Sequence, residues 1–156
     1  MPKYGVSAAA FTTPTGTADT AILVHANAAG EQCEIVELIM TGSGSTGAAD
    51  TQHRAAAYYH DGTTAGTAGS NPTPEKFADG SAAAACLAGI AYTAEPTNIN
   101  TVAILQFGFN QRGGMRYAVP QGEGIKCMNS FTEKGVVWTV VSSVSGSIDA
   151  NMHWWE

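Results

Sequence analysis

Four histidines are the residues of this chain that could bind a metal ion, but their spacing matches no common metal site. They stand at His25, His53, His60 and His153, without a His-x-His, His-Glu-x-x-His or Cys/His cluster. His53 and His60 lie seven residues apart on one predicted strand and so on opposite faces, which prevents them from sharing an ion without a bulge. A cation could bind at His60-Asp61 where that strand ends, although a solvated loop is the simpler interpretation. The sequence therefore predicts no metal site.

The residue patterns of hydrolases are also absent from the sequence. There is no Gly-x-Ser-x-Gly, and no spacing pairs a cysteine with a histidine. Glycosidases use two carboxylates across a cleft, whereas Glu34 and Glu37 are expected on opposite faces of one strand. The Gly-Ser-Gly-Ser run at 42–45 lacks the lysine and the helix of a phosphate-binding loop. We therefore expect no catalysis and no cofactor.

Amino-acid composition predicts which type of secondary structure forms the fold and positions any functional site. Charged residues make up 13% of the 156 positions, about half of the ~25% usual for soluble domains. A helical protein of this length covers its exposed faces with Lys and Glu, which this chain lacks. Short apolar runs between Gly- and Thr-rich turns favour strands. The sequence predicts one all-β domain over 1–156.

The charge of the chain argues against nucleic acids and membranes as binding partners. The net charge is −6 and the seven basic residues are scattered, which disfavours nucleic acid because phosphate binding needs clustered Lys and Arg. No basic amphipathic stretch and no apolar run of about 18 residues is present, so we expect no membrane association. Residues 1–11 show no signal-peptide pattern. Three widely spaced cysteines, Cys33, Cys86 and Cys127, are expected to be reduced packing residues, which fits assembly in a cytoplasm.

Residues 101–120, an apolar stretch that contains no proline before Pro120, are predicted to form a central β-hairpin that turns at Asn110-Gln111-Arg112-Gly113-Gly114. Residues 148–156 alternate most regularly, with Trp154 facing inward and Trp155 outward. In total we expect eight or nine antiparallel strands in a sandwich or barrel. Residues 61–81 form a long polar loop. Residues 81–91 are alanine-rich and are compatible with a short helix or with an irregular crossing segment.

Five residues are candidates for an interface rather than for catalysis. Residues 32–41 are apolar on both faces, which requires a cover for the second face, and a second copy of the chain could cover Ile35 and Ile39. Arg116 stands among apolar neighbours and is expected to pair with a carboxylate or with carbonyls, within the chain or across a subunit boundary. Arg112 lies in the adjacent turn. Trp155 would be exposed unless the chain's own long loop covers it.

Three segments together resemble a known family. They are FNQRGGMRYAVPQGEGI at 109–125, Ala-Glu-Pro-Thr at 94–97, and the tail VSSVSGSIDANMHWWE. In these, and in the character of its opening strands, the chain resembles the small jelly-roll structural proteins of tailed bacteriophages. The resemblance implies a homotrimeric jelly roll that binds the major capsid protein on the capsid exterior as a cement or decoration protein, without catalysis. The loop at 61–81 and the segment at 81–91 do not match the pattern.

Two rival functions come from other classes. Similar modules occur in head fibres and tail parts, so the second hypothesis is a carbohydrate- or receptor-binding β-sandwich of a phage tail or head fibre that stacks sugars on Trp155. The third is a cupin-like or lyase-type enzyme, which is disfavoured because a cupin metal site needs clustered His and Glu side chains.

Overall fold

The computed structural model describes residues 1–28, 30–43, 50–60, 66–97, 99–127 and 134–156, which form two antiparallel sheets packed as a β-sandwich. The strands are β1 (Lys3–Thr12), β2 (Asp19–His25), β3 (Glu34–Gly42), β4 (Gln52–His60), β5 (Glu75–Lys76), β6 (Leu87–Ile90), β7 (Leu105–Asn110), β8 (Met115–Ala118), β9 (Ile125–Lys126), β10 (Gly135–Ser142) and β11 (Ser147–Trp155). The all-β sandwich expected from composition is confirmed. The described residues contain eleven strands instead of eight or nine, because three short ones of two to four residues add to the main set.

The order of the strands is that of a jelly roll. The first sheet runs β5-β1-β11-β3-β8, with β9 also pairing β3, and the second runs β6-β2-β10-β4-β7. Without the short strands β5, β6 and β9, two four-stranded sheets remain, and consecutive strands cross between them at most steps. This winding is the double Greek key of a jelly roll. It brings the first and last strands of the chain side by side in the first sheet.

The predicted central hairpin at 101–120 is wrong. Its two arms lie in different sheets, because β7 pairs with β4 at the edge of the second sheet and β8 pairs with β3 at the edge of the first. The glycine-rich turn carries the chain from one sheet to the other. Gly114 has a φ of +79°, and a Cβ there would stand 2.7 Å from the carbonyl oxygen of Met40. Only glycine fits so close to β3 in this conformation.

The helix alternative for 81–91 is also wrong, since no helix occurs in the described part of the chain. Residues 81–84 are irregular, and β6 follows as an edge strand paired with β2. Pairing with a buried strand outweighs the helix propensity of alanine, which is worth less than about 1 kcal/mol per residue. The loop at 61–81 is described from residue 66 onward and contains β5, which pairs with β1.

A β-bulge in β3 changes which of its residues face the core. Trp154 is opposite Ile35 and His153 is opposite Glu37, so Val36 is an extra residue in the ladder. The bulge turns Ile35 into the core together with Leu38 and Met40. It also places Glu34 and Glu37 on the same outer face, contrary to the expectation from regular alternation. The interface assignment of Ile35 is therefore wrong, since its side chain is fully buried within its own chain.

The core lies between the two sheets and contains two fully buried tryptophans, Trp138 and Trp154. Trp154 belongs to the inward row of β11, whose four members are all fully buried, as its alternation predicted: Ile148, Ala150, Met152 and Trp154. The outward row, Asp149, Asn151, His153 and Trp155, is partly exposed. A strict two-residue period thus gives the correct faces on a strand without an internal bulge.

A second, smaller apolar cluster covers the outer face of the second sheet. Leu23 of β2 and Val137 of β10 point away from the main core, yet both are fully buried. Their cover comes from loop residues of the same chain, namely Ala68, Tyr92 and Ile99. Burial and the nearby carboxylate of Glu95 raise the pKa of Tyr92 to about 12. On this face the chain covers itself.

Candidate functional site

The outer face of the first sheet carries a cluster of charges around one carboxylate. Glu37 of β3 accepts hydrogen bonds from Arg116 of β8, with Nε at 2.7 Å and Nη2 at 2.6 Å from Oε1. Its Oε2 lies 2.8 Å from Nδ1 of His153 on β11 and 3.4 Å from Nζ of Lys3 on β1. Four strands of one sheet thus converge on one carboxylate. The bulge in β3 is what points Glu37 outward to meet them.

The environment of Glu37 favours its charged form. Burial of this side chain, which is only 11% exposed, would by itself raise its pKa. The hydrogen bonds from His153 and Arg116, together with the charge of His153 and the bond from Lys3, outweigh burial and lower the pKa to about 2. Glu37 is therefore ionised at neutral pH and holds three basic side chains in place. This is an ionic network that orients surface groups.

An aromatic side chain extends this cluster toward the edge of the sheet. Phe77, which follows β5, packs its ring edge-to-face on His153 at 4.8 Å, and Lys3 Nζ stands 4.6 Å from its centroid. Both rings lie above Gly5 of β1, where a Cβ would come within 2.7 Å of His153 and 2.9 Å of Phe77. Glycine at position 5 is therefore required for this contact. Phe77 remains 55% exposed, so an apolar surface borders the charges.

Trp155 lies between two shallow grooves at the end of this face. One has a volume of about 660 Å³ and is lined by Trp155 with Met1, Pro2, Lys3, Phe77, Ala78, Ser81 and Ala82. The other has a volume of about 430 Å³ and is lined by Trp155 with Met1, Gln32, Cys33, Glu34, Gln121, Gly122 and Lys126. The first groove is mainly apolar, and the second is edged by polar side chains. The chain's own loop therefore covers Trp155 only in part.

The remaining interface candidates fall in two places. Ile39 is half-buried beside Arg116 on the outer face of the first sheet. Arg116 pairs with the carboxylate of Glu37, so its expected partner lies within the same chain and not across a subunit boundary. Together with Trp155 they share one face. Arg112 lies apart, in the turn after β7, where its Nε is 3.1 Å from the carboxylate of Asp50. We name this face the Glu37 face; it comprises Lys3, Glu37, Ile39, Phe77, Arg116, His153 and Trp155.

Sequence reasoning missed the centre of this face. Lys3, Glu37 and His153 are far apart in the chain, and regular alternation of β3 assigns Glu37 no partner. A bulge adds one residue without a sequence signature strong enough to locate it. Phe77 lies in the loop that the family pattern did not match. The one available signal was Arg116 among apolar neighbours, which predicted pairing with a carboxylate or with carbonyls without identifying the partner.

The histidines that the sequence suggested as metal ligands at the two ends of β4 are buried inside the protein. His53 Nδ1 hydrogen-bonds Ser142 Oγ, but both residues are buried, and the ring stacks on Phe109 at 5.0 Å. Burial lowers the pKa of His53. His60 is buried at the end of β4, and its neighbour Asp61, with the suggested cation site, lies outside the described residues. Among the residues that are described, no group of three His, Cys, Asp or Glu side chains is arranged to hold a metal ion.

Comparison with known proteins gives no relative. No protein-family model, no curated protein and no solved structure matches the chain at a significant level. Within the described residues, no helix has the length and apolar character needed to cross a membrane. Function must therefore be argued from the geometry of the Glu37 face.

Proposed function

We propose that this chain is a cement or decoration protein of a tailed bacteriophage, which binds the outside of the capsid as a homotrimer and stabilises the shell. The observation that carries the proposal is the Glu37 face. It spans four strands and combines a fixed ionic network with exposed apolar groups at its edge. Charged groups that are held in place give an interface its register, and the apolar border supplies burial.

The shape of this face supports adhesion rather than uptake of a small ligand. A stable protein interface buries more than about 1,000 Å² in total, which a broad sheet face can supply and a narrow cleft cannot. The acidic net charge and the resemblance of the turn at 109–125 agree with a virion protein. The proposed assembly into a homotrimer rests on the same resemblance.

Two measurements test the proposal. Light scattering on the purified chain is expected to give a trimer of the 16.1 kDa subunit. Shells assembled from the phage's major capsid protein are expected to bind the chain saturably in many copies and to melt at a higher temperature. A monomer that fails to pellet with shells would contradict the proposal.

A pair of matched substitutions locates the contact surface. Phe77→Asp places a charge on the Glu37 face at a site that is already 55% exposed, and Val144→Asp does the same at a 64% exposed site in the turn before β11. Both variants are expected to fold. Only Phe77→Asp should weaken pelleting with shells, because a desolvated carboxylate opposes binding. Equal binding by both variants would exclude the Glu37 face as the docking surface.

The groove between Trp155 and Lys126 favours one second candidate, a carbohydrate- or receptor-binding module of a tail or head fibre. A partly exposed indole beside Gln32, Glu34 and Gln121 has the composition of a sugar-stacking site. Saturable glycan binding that Trp155→Ala abolishes, with no binding to shells, would support this function in place of the first.

A further inference from the structure

Three cysteines that are far apart in the sequence meet at one end of the sandwich. Cys33 precedes β3, Cys86 precedes β6 and Cys127 follows β9. All three are free and buried. The side chain of Cys33 interacts with those of both Cys127 and Cys86. Cys33 thus has two other cysteines as neighbours, whereas the spacing in the sequence predicted three separate packing residues.

Cys33 and Cys127 stand directly opposite each other across two strands. The ladder between β3 and β9 pairs Glu34 with Lys126, and it continues with the amide of Cys127 donating to the carbonyl of Cys33 at 2.8 Å. Hydrogen-bonded neighbours in antiparallel strands have Cα atoms about 5.5 Å apart. That separation lies within the range that a disulfide spans. The backbone therefore does not have to move far for the two sulfur atoms to bond.

The third thiol is positioned independently of this pair. The carboxylate of Glu156 accepts hydrogen bonds from the amides of Ala85 at 2.7 Å and Cys86 at 2.9 Å, and from the indole of Trp154 at 2.9 Å. This contact fixes the segment that carries Cys86 against the last strand. Cys86 is not opposite Cys33 in the strand ladder, whereas Cys127 is. Cys86 is therefore an internal control for any reaction that needs the Cys33–Cys127 geometry.

Both sides of the cluster border open space. Cys33 lines the 430 Å³ groove next to Trp155, and Cys86 lines a cavity of about 550 Å³ that also contains His25 and Tyr92. Hydrogen bonds with Cys127 and Cys86, together with burial, raise the pKa of Cys33 well above its usual value. The Cys33 thiol is therefore protonated at neutral pH, which slows its oxidation.

We propose that Cys33 and Cys127 are an oxidation site, at which a peroxide converts the two thiols into a disulfide that ties β3 to β9. Hydrogen peroxide first oxidises one of the two sulfurs to a sulfenic acid, and its second oxygen leaves as water. The other sulfur then bonds to the oxidised one and displaces the hydroxyl group as a second water. Two thiols lose two electrons and two protons, and one peroxide molecule becomes two molecules of water.

Peptide mapping of the folded wild-type chain tests the site without any variant. The chain is treated with hydrogen peroxide, blocked with an alkylating agent, digested without reductant and analysed by mass spectrometry. The expected product is a peptide pair joined through Cys33 and Cys127 that has lost two hydrogen atoms, with Cys86 alkylated. A link through Cys86, or oxidation of Cys33 to sulfinic acid without any link, would overturn the proposal.

Thermal melting provides a second measurement. A disulfide that closes the long loop from 33 to 127 restricts the unfolded chain, so the oxidised protein should melt roughly 5–10 °C higher, and a thiol reductant should reverse the shift. Cys86→Ser should keep both the link and the shift, whereas Cys127→Ser should lose both. An unchanged or lower melting temperature of the linked wild-type chain would show that the bond is strained and the site not built for it.

Discussion

The outer faces of the two sheets differ in what stabilises their side chains, which is apolar burial on the second sheet and ion pairing on the first. On the second sheet an apolar patch lies on the outer face, where loop residues Tyr92, Ala68 and Ile99 of the same chain cover Leu23 and Val137 completely. On the first sheet a group of charged outer residues is paired around Glu37, with Arg116 still 66% exposed. One face is closed by the chain itself, and the other remains exposed to solvent.

The comparison assigns different roles to the two faces. Apolar side chains lose free energy when they leave water, so an apolar face is covered wherever the chain has a segment that reaches it. A charged face can stay hydrated and remain available to a partner. We therefore interpret the outer face of the second sheet as a contribution to stability and the Glu37 face as the contribution to function.

The largest expected change in stability comes from removing a side chain of the covered apolar patch on the second sheet. Leu23→Ala should destabilise the chain by about 2–5 kcal/mol, because the side chain is fully buried and its removal leaves a cavity. The free energy of unfolding in urea measures the change. Val144→Ala, at a 64% exposed site, should stay within about 0.5 kcal/mol of wild type. Similar costs for the two variants would mean that the loop does not pack on this sheet.

Removal of the central carboxylate should have an intermediate effect. Glu37→Gln takes away the partner of Lys3, Arg116 and His153 and should cost about 1–3 kcal/mol, since two of these groups are mostly buried. The matched control is Arg112→Gln, which breaks an exposed ion pair with Asp50 and should cost less than about 0.5 kcal/mol. If both variants cost the same in urea unfolding, the network is an ordinary surface ion pair.

The smallest effect, and the most diagnostic, is a dependence on pH. Because the pKa of Glu37 is lowered from 4.5 to about 2 in the folded chain, the unfolded chain binds this proton more readily. The stabilisation is complete above pH 4.5 and is lost as the pH falls toward about 2. The gap in stability between wild type and Glu37→Gln should therefore narrow over that interval. Arg112→Gln should follow wild type, and a gap that stays constant would contradict the assignment.

Local pattern and tertiary packing contributed different parts of the candidate site. Alternation along β11 correctly placed Trp154 inside and Trp155 outside. The setting of Arg116 predicted a carboxylate or carbonyls as its partner, and the structure shows the carboxylate. The same reasoning placed Ile35 at an interface, because it could not detect the extra residue at Val36 that reverses the two faces. It also treated residues 101–120 as a hairpin, because the pattern of a strand is the same whichever sheet the strand joins.

By itself the sequence determined that this chain builds strands: its low charge, its turn residues and its two-residue periods are local properties that act before distant segments meet. Only the tertiary structure decided that β7 and β8 belong to opposite sheets, that Glu37 gathers Lys3, Arg116 and His153, and that Cys33 meets Cys86 and Cys127. Those outcomes depend on long-range pairing and on a bulge, whose energies come from neighbours far along the chain.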